Sequence, residues 1–168
     1  METFRFQHRL ASIAGQATIG LLTAVPLTIG APTFAEARTT KYYLTRGVFQ
    51  GDAALPACAP GFHMASLWEI RDPTNLQYVT IRGYTLADSG SGPPTGRGGW
   101  IRTGNSSASY GGGGVSNCLA WTTNAGVPAY GTFAQLVGEW NLASSPISPW
   151  AANEISCDTA LHVWCVRK

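Results

Sequence analysis

The sequence predicts an exported α+β domain of short strands, one or two short helices and long loops, held together by two disulfides. The 168 residues are 45% apolar and include six tryptophans, which suits one domain with a hydrophobic core and excludes a disordered chain. The 20 glycines and 10 prolines favour many loops, and the four cysteines suit an oxidising compartment. A net charge of +2 is too small to favour nucleic acid or an anionic membrane as the partner.

Residues 1–37 are predicted to be a signal peptide, which leaves residues 38–168 as the folded domain. Two arginines precede an apolar stretch from Ile13 to Ile29, and small residues then lead to Ala35-Glu36-Ala37. A basic start, a short apolar middle and a small-residue exit are the three parts of a signal peptide. The alternative, a transmembrane anchor, needs about 20 apolar residues, and this stretch is shorter and interrupted by glycine and proline. We therefore expect a product that does not span a membrane and is secreted or held in the periplasm or cell envelope.

The cysteines are expected to form two disulfides rather than a metal site. They are Cys58, Cys118, Cys157 and Cys165. No two of them form a C-x-x-C pair, whereas structural zinc sites draw their ligands from close pairs. An even cysteine count in an exported chain favours disulfides, although the count alone leaves three pairings open. Cys157 and Cys165 flank a predicted strand whose length their direct bond would have to bridge, so distant partners are favoured. We expect no metal and no cofactor.

The elements follow from local composition, with strands where β-formers cluster and loops where Gly and Pro cluster. The predicted strands are residues 41–45, 62–66, 100–103, 118–121 and 162–166. Helical turns are expected at 52–58 and at 67–70, the second ending before Pro73. Residues 88–99, 106–114 and 144–149 are predicted loops, and 132–140 is either a strand or a short helix. Trp100, Trp121 and Trp164 lie in predicted strands and are expected in the core.

Four segments, in order, resemble the C-type-lectin-like fold. They are Cys58-Ala-Pro-Gly-Phe-His-Met-Ala-Ser-Leu, Gly99-Trp-Ile-Arg-Thr-Gly104, Asn117-Cys-Leu-Ala-Trp121, and Asn153-Glu-Ile-Ser-Cys157 followed by His162-Val-Trp-Cys165. They are similar to that family's C-x-x-x-G-x-x-L-A-S entry segment, its W-I-G-L core strand, its second cysteine and its N-D-x-x-C ending. The resemblance covers about residues 41–168. It implies irregular antiparallel sheets with one or two short helices, and nested disulfides Cys58–Cys165 and Cys118–Cys157.

The resemblance does not extend to the family's calcium site. Sugar-binding members hold calcium with an E-P-N or Q-P-D triplet in a long loop before the second cysteine. Residues 105–117 contain neither triplet and no carboxylate. Asn153 and Glu154 match the family's other ligand pair, yet Ca²⁺ takes about six to eight oxygen ligands. The chain thus resembles the compact, endostatin-like branch and a set of uncharacterised exported bacterial domains, and we expect calcium-independent binding.

Catalytic interpretations of the sequence are weak, and we predict no catalytic residue. The segment Asp88-Ser-Gly-Ser-Gly-Pro is similar to the surroundings of a serine-protease nucleophile, with His63 and Asp72 ahead of Ser89. The domain is too short for the two barrels that hold such a triad. Six carboxylates show no pairing in their spacing that would suit glycoside cleavage: Glu69, Asp72, Asp88, Glu139, Glu154 and Asp158. Glu69 and Asp72 are expected to be surface or capping groups.

The candidate ligand-binding residues follow the second cysteine, where the chain is longer than the resemblance requires. They are Trp140, Asn141, Trp150, Asn153 and Glu154. Exposed aromatic rings stack on sugars or anchor protein partners, and loops on a rigid scaffold often carry binding residues. The alternative is that these aromatics cover a second apolar cluster. The sequence thus predicts a non-catalytic binding module for a glycan or a protein surface, with a small secreted hydrolase or a structural envelope or matrix protein as the other hypotheses.

Overall fold

The structure is a computed structural model that describes residues 39–105, 112–137 and 149–167. The predicted signal peptide and the candidate residues Trp140 and Asn141 lie outside these ranges. The elements in chain order are β1 (Thr40–Leu44), α1 (Gly51–Ala54), β2 (His63–Met64), α2 (Leu67–Ile70), a 3-10 turn (Pro73–Asn75), β3 (Leu76–Tyr78), β4 (Gly98–Trp100), α3 (Cys118–Trp121), β5 (Tyr130–Leu136), β6 (Trp150–Ser156) and β7 (His162–Arg167).

The sheet is built around its last strand, β7. One edge of β7 pairs with β1, and the other pairs with β4 near the start of β7 and with β2 near its end. β3 extends the sheet beyond β1, and β5 and β6 extend it beyond β4. The β1–β3 and β4–β7 pairings are parallel, and the other four in the described part are antiparallel. The expected α+β class is confirmed as a mostly sheet core with a few short helices, but the sheet is mixed rather than antiparallel throughout.

The core lies along β7 and contains the expected tryptophans. Val163–Val166 of β7 have no exposed surface, as is typical of a strand covered on both faces. Trp164 donates its indole N–H to the Ala134 carbonyl at 2.8 Å, and Trp100 donates to the Phe49 carbonyl at 2.7 Å. Trp121 packs edge-to-face on Trp100, with ring centroids 5.6 Å apart. The Trp100 and Trp164 indoles therefore have the hydrogen-bond partners that a buried tryptophan usually finds.

Two disulfides cross-link the domain, an outer one between its N-terminal part and its last strand and an inner one between α3 and the chain just after β6. Cys58 is bonded to Cys165 and Cys118 to Cys157, each with its Cα atoms 5.7 Å apart, which is the nested pairing that the resemblance implies. The inner bond is tightly enclosed. A Cβ atom at Gly131 would lie 2.6 Å from the Cys118 Sγ, so this position of β5 accepts only glycine.

The strand predicted at residues 118–121 is wrong, because these residues form the single left-handed turn α3. Their φ angles lie between 51° and 64°, where side chains are disfavoured. The Asn117 side chain accepts a hydrogen bond from the Ala120 N–H at 3.1 Å, and the bond to Cys157 fixes the start of the turn. Local composition gives no sign of this backbone, which depends on partners distant in sequence.

Other boundaries also differ from prediction: the strand predicted at 62–66 covers only His63–Met64, and β3 at Leu76–Tyr78 was not expected. β6 occupies Trp150–Ser156, where no strand was expected, because each of its seven residues has a partner on β5. The strand predicted at 100–103 instead covers Gly98–Trp100. The helical turn predicted at 52–58 is shorter and begins earlier, at Gly51.

Candidate functional site

Helix α2 forms one wall of the candidate site and is positioned by a capping box. The Glu69 N–H donates to the Ser66 hydroxyl at 3.3 Å, and the Glu69 carboxylate accepts from both the Ser66 N–H and its hydroxyl at 2.9 Å. The other carboxylate oxygen lies 2.7 Å from His63 Nε2. A capping box fixes where a helix begins, so this short helix has one orientation on the sheet. Glu69 therefore has the capping role expected from the sequence.

Trp68 points away from the core. Ile70 of the same turn is 1% exposed, whereas Trp68 is 72% exposed. The indole nitrogen faces the chain at Gly104, where an added Cβ would lie 3.9 Å from it. A large aromatic ring is thus held in solvent by a helix that is itself fixed at its start.

The Trp68 indole borders a cleft of about 390 Å³ between α2 and β6, which we call the Trp68 cleft. It is lined by Leu67, Trp68, Ile70 and Arg71 on one side and by Thr103, Gly114, Trp150 and Ala152 on the other. The lining is mostly apolar. The Trp150 ring packs edge-to-face on Trp164 with centroids 5.1 Å apart, which anchors this wall in the core. The cleft therefore has one exposed aromatic ring, Trp68, and one ring packed against the core, Trp150.

A second, smaller pocket of about 210 Å³ adjoins the first, and we call it the Arg102 pocket. It is lined by Leu55, Arg102, Thr103, Gly104, Asn105, Asn117, Ala120 and Trp121. Thr103 lines both pockets; its hydroxyl donates to the Val115 carbonyl at 3.3 Å and accepts from the Asn105 N–H at 3.1 Å. These bonds fix the ridge between the two pockets.

The charged side chains that line the pockets are both cationic. Arg71 borders the Trp68 cleft and Arg102 borders the second pocket; within the described ranges neither guanidinium has a hydrogen bond or ion pair. The two carboxylates nearest to Arg71 in sequence, those of Glu69 and Asp72, already have hydrogen-bond partners. Asp72 accepts from the hydroxyl and N–H of Thr74 and from the Asn75 amide, which lower its pKa.

Of the candidate ligand-binding residues, Trp150, Asn153 and Glu154 are described, and all three lie on β6. Neighbouring side chains on a strand point to opposite faces, so Trp150 and Glu154 share one face and Asn153 lies on the other. Glu154 approaches the Ser116 hydroxyl at 3.5 Å, and the Asn153 side chain accepts from the Glu154 N–H at 2.9 Å. Each of these two side chains thus has a contact of its own within the described residues.

Trp68 is the site residue that the sequence analysis missed. The helix at 67–70 was predicted, but one helical turn is too short for periodicity to tell which side chain faces solvent. The signal available was the Ser66-Leu-Trp-Glu69 capping box, which contains the aromatic residue. It indicates a fixed helix start and hence a defined direction for the side chains between its two ends.

The serine-protease-like residues do not meet in the described structure. His63 contacts Glu69, Asp72 caps the 3-10 turn, and the Ser89 hydroxyl accepts from the Leu86 N–H at 2.9 Å. In the described ranges no group of three or more His, Cys, Asp or Glu side chains is placed to hold a metal ion. No helix in the same ranges has the length and hydropathy of a membrane span.

Comparison of the chain with protein-family models, with curated proteins and with solved structures finds no match.

Proposed function

We propose that the protein is an exported, non-catalytic module that binds a glycan in the Trp68 cleft without calcium. The observation that carries this proposal is the 72% exposed Trp68 indole at the mouth of a mostly apolar cleft. Scattered exposed apolar residues are ordinary, but an exposed aromatic ring that lines a mostly apolar cavity is typical of a binding site.

The shape and chemistry of the cleft favour a sugar over a protein surface. Its volume of about 390 Å³ is in the range of small-molecule sites, whereas protein interfaces are broad and flat. A pyranose ring presents an apolar face of C–H groups that stacks on an indole at small entropic cost, because tryptophan has few rotatable bonds. Trp150 supplies a second ring on the opposite wall.

The C-type-lectin-like fold is part of the same proposal. Three features support it: the nested disulfides, the pairing of the first strand with the last, and the order of the four motif segments along the chain. These segments correspond to β2 with α2, β4, α3, and β6 with β7. The cleft then lies beside the second of these segments, at Thr103.

Calcium independence is supported by the donors near the cleft. The cleft lining contains no carboxylate among its described residues, and Asn153 and Glu154 occupy opposite faces of β6. A Ca²⁺ ion needs several carboxylate or carbonyl oxygens directed at one point.

A glycan array probed with the mature protein, with and without EDTA, tests the function. We expect binding that EDTA leaves unchanged and that Trp68→Ala weakens at least about tenfold. Ile81→Ala is the matched control, because Ile81 is 82% exposed and lies outside the cleft. Binding lost in EDTA would refute the calcium claim. Binding of proteins but no glycan, or glycan binding indifferent to Trp68, would refute the site.

Export has a separate test. Cleavage after Ala37 predicts that the exported protein begins at Arg38 or within two residues of it, and an intact mass that retains Met1 would contradict this.

A further inference from the structure

We propose that the ligand is an anionic oligosaccharide that spans both pockets, with its acidic groups on Arg71 and Arg102 and a sugar ring on Trp68; this inference rests on the proposed function. It assigns the Arg102 pocket, which the proposed function leaves unused, as a second subsite.

The two pockets form one continuous surface. Thr103 lines both, and Gly104 of the second pocket faces the indole nitrogen of Trp68 in the first. A chain molecule that stacks on Trp68 can therefore cross the Thr103 ridge without leaving the protein surface. A single sugar ring occupies only one of the two cavities, so the surface suits an oligomer.

The charge of this surface is of one sign. Arg71 and Arg102 border it, and no carboxylate is among the described lining residues. Both guanidiniums lack a protein partner within the described ranges. Asp72 is bonded to Thr74 and Asn75, and Glu69 to Ser66 and His63, so within the described ranges neither of these carboxylates forms an ion pair with Arg71.

Arginine is suited to this recognition. Its planar guanidinium donates two parallel N–H bonds to a carboxylate, and it binds sulfate esters by the same donors. One arginine in each pocket would fix the register of an acidic sugar chain whose ring stacks on Trp68. A neutral glycan would leave both arginines without partners.

Isothermal titration with short uronate oligomers, and with their methyl esters as neutral isosteres, tests the inference. Sulfated oligomers of a neutral sugar form a second arm, which distinguishes sulfate from carboxylate as the anionic group. We expect Arg71→Gln and Arg102→Gln each to weaken binding of the acidic oligomers by roughly three- to tenfold and to leave binding of the esters unchanged. Arg97→Gln removes the same charge at an exposed loop position and is the matched control.

The outcomes separate this inference from the proposed function. Acid-selective binding that depends on Arg71, Arg102 and Trp68 supports both. Trp68-dependent binding of neutral glycans only overturns the anionic ligand and leaves the proposed function standing. A loss with Arg97→Gln as large as with Arg71→Gln overturns the assignment of the acidic groups to the two pocket arginines and likewise leaves the proposed function standing. Absence of Trp68-dependent binding to every acidic and neutral glycan overturns both.

Discussion

Glu69 experiences opposing influences on its carboxylate. Partial burial alone would raise its pKa, but the hydrogen bonds from the Ser66 N–H, from His63 and from the Ser66 hydroxyl, with the attraction of His63, lower it below the ordinary value of 4.5. The ionised form is therefore favoured in the folded state. Because α2 carries Trp68, the ionisation of Glu69 also bears on the position of the cleft wall.

Replacing Glu69 by Gln should lower the free energy of unfolding at pH 7 by about 0.5–1 kcal/mol, since the cap remains but its charge is lost. A lowered folded-state pKa gives stability that is fully present above pH 4.5 and is lost as the pH falls through the folded-state value. The wild type and the variant should therefore converge in urea unfolding below pH 4.5. Asp88→Asn, at an exposed loop residue, controls for the loss of one charge. A difference that stays constant down to the acid transition would contradict this role for Glu69.

At the scale of elements, the left-handed turn α3 is the least expected part of the chain. Its four residues are Cys118, Leu119, Ala120 and Trp121, and none is glycine. In this backbone the Cβ atom crowds the following carbonyl, at a cost of about 1–2 kcal/mol per residue. The inner disulfide, the Asn117 side chain and the burial of Trp121 offset that cost.

Ala120→Gly should raise the free energy of unfolding, by about 1 kcal/mol, because glycine has no Cβ to strain at φ 57°. Ala120 is exposed, so the substitution removes no core contact. The matched variant is Ala53→Gly in α1, an exposed alanine in a right-handed turn, which should lower stability by about 0.5–1 kcal/mol. Thermal and urea unfolding of both variants provide the measurement. Two losses of equal size would show that residue 120 bears no left-handed strain.

The elements that the sequence predicted are those whose own residue composition is enough to determine their secondary structure. β1 and β7 are rich in β-branched and aromatic residues, and α2 begins with a capping box, so their positions follow from local chemistry. β6 has the composition Trp-Ala-Ala-Asn-Glu-Ile-Ser and becomes a strand through its pairing with β5. β-propensity depends on such partners, which a single segment does not reveal.

For the whole molecule, the two disulfides differ in the length of chain that they close. The outer bond joins residues 107 apart in sequence and the inner bond residues 39 apart. In the chain-entropy model these loops correspond to about 5 and about 4 kcal/mol of stabilisation. Both are large fractions of the stability of a small domain.

Removing the outer pair with Cys58→Ser and Cys165→Ser should therefore lower the unfolding temperature more than removing the inner pair with Cys118→Ser and Cys157→Ser. The difference should be about 1 kcal/mol in the free energy of unfolding. Calorimetry of the two double variants, with free-thiol counts to verify the remaining bond, gives the comparison. A larger loss for the inner pair would mean that its bond acts through the buried α3 turn rather than through loop closure.

The pairing of β1 with β7 determines how the domain would respond to mechanical tension. Lys41 and Arg167 are cross-strand partners, so a force that separates the two ends loads the strands one hydrogen-bonded pair at a time. From the C-terminal end, separation of the strands stops at Cys165. From the N-terminal end, only residues 39–57 can be drawn out before the disulfide from Cys58 to Cys165 carries the force. The extension is limited to roughly 70 Å at about 3.5 Å per residue. Trp68, Trp150 and both arginines lie between the bridged cysteines, so the chain that carries these four residues is not itself extended once the bond carries the force.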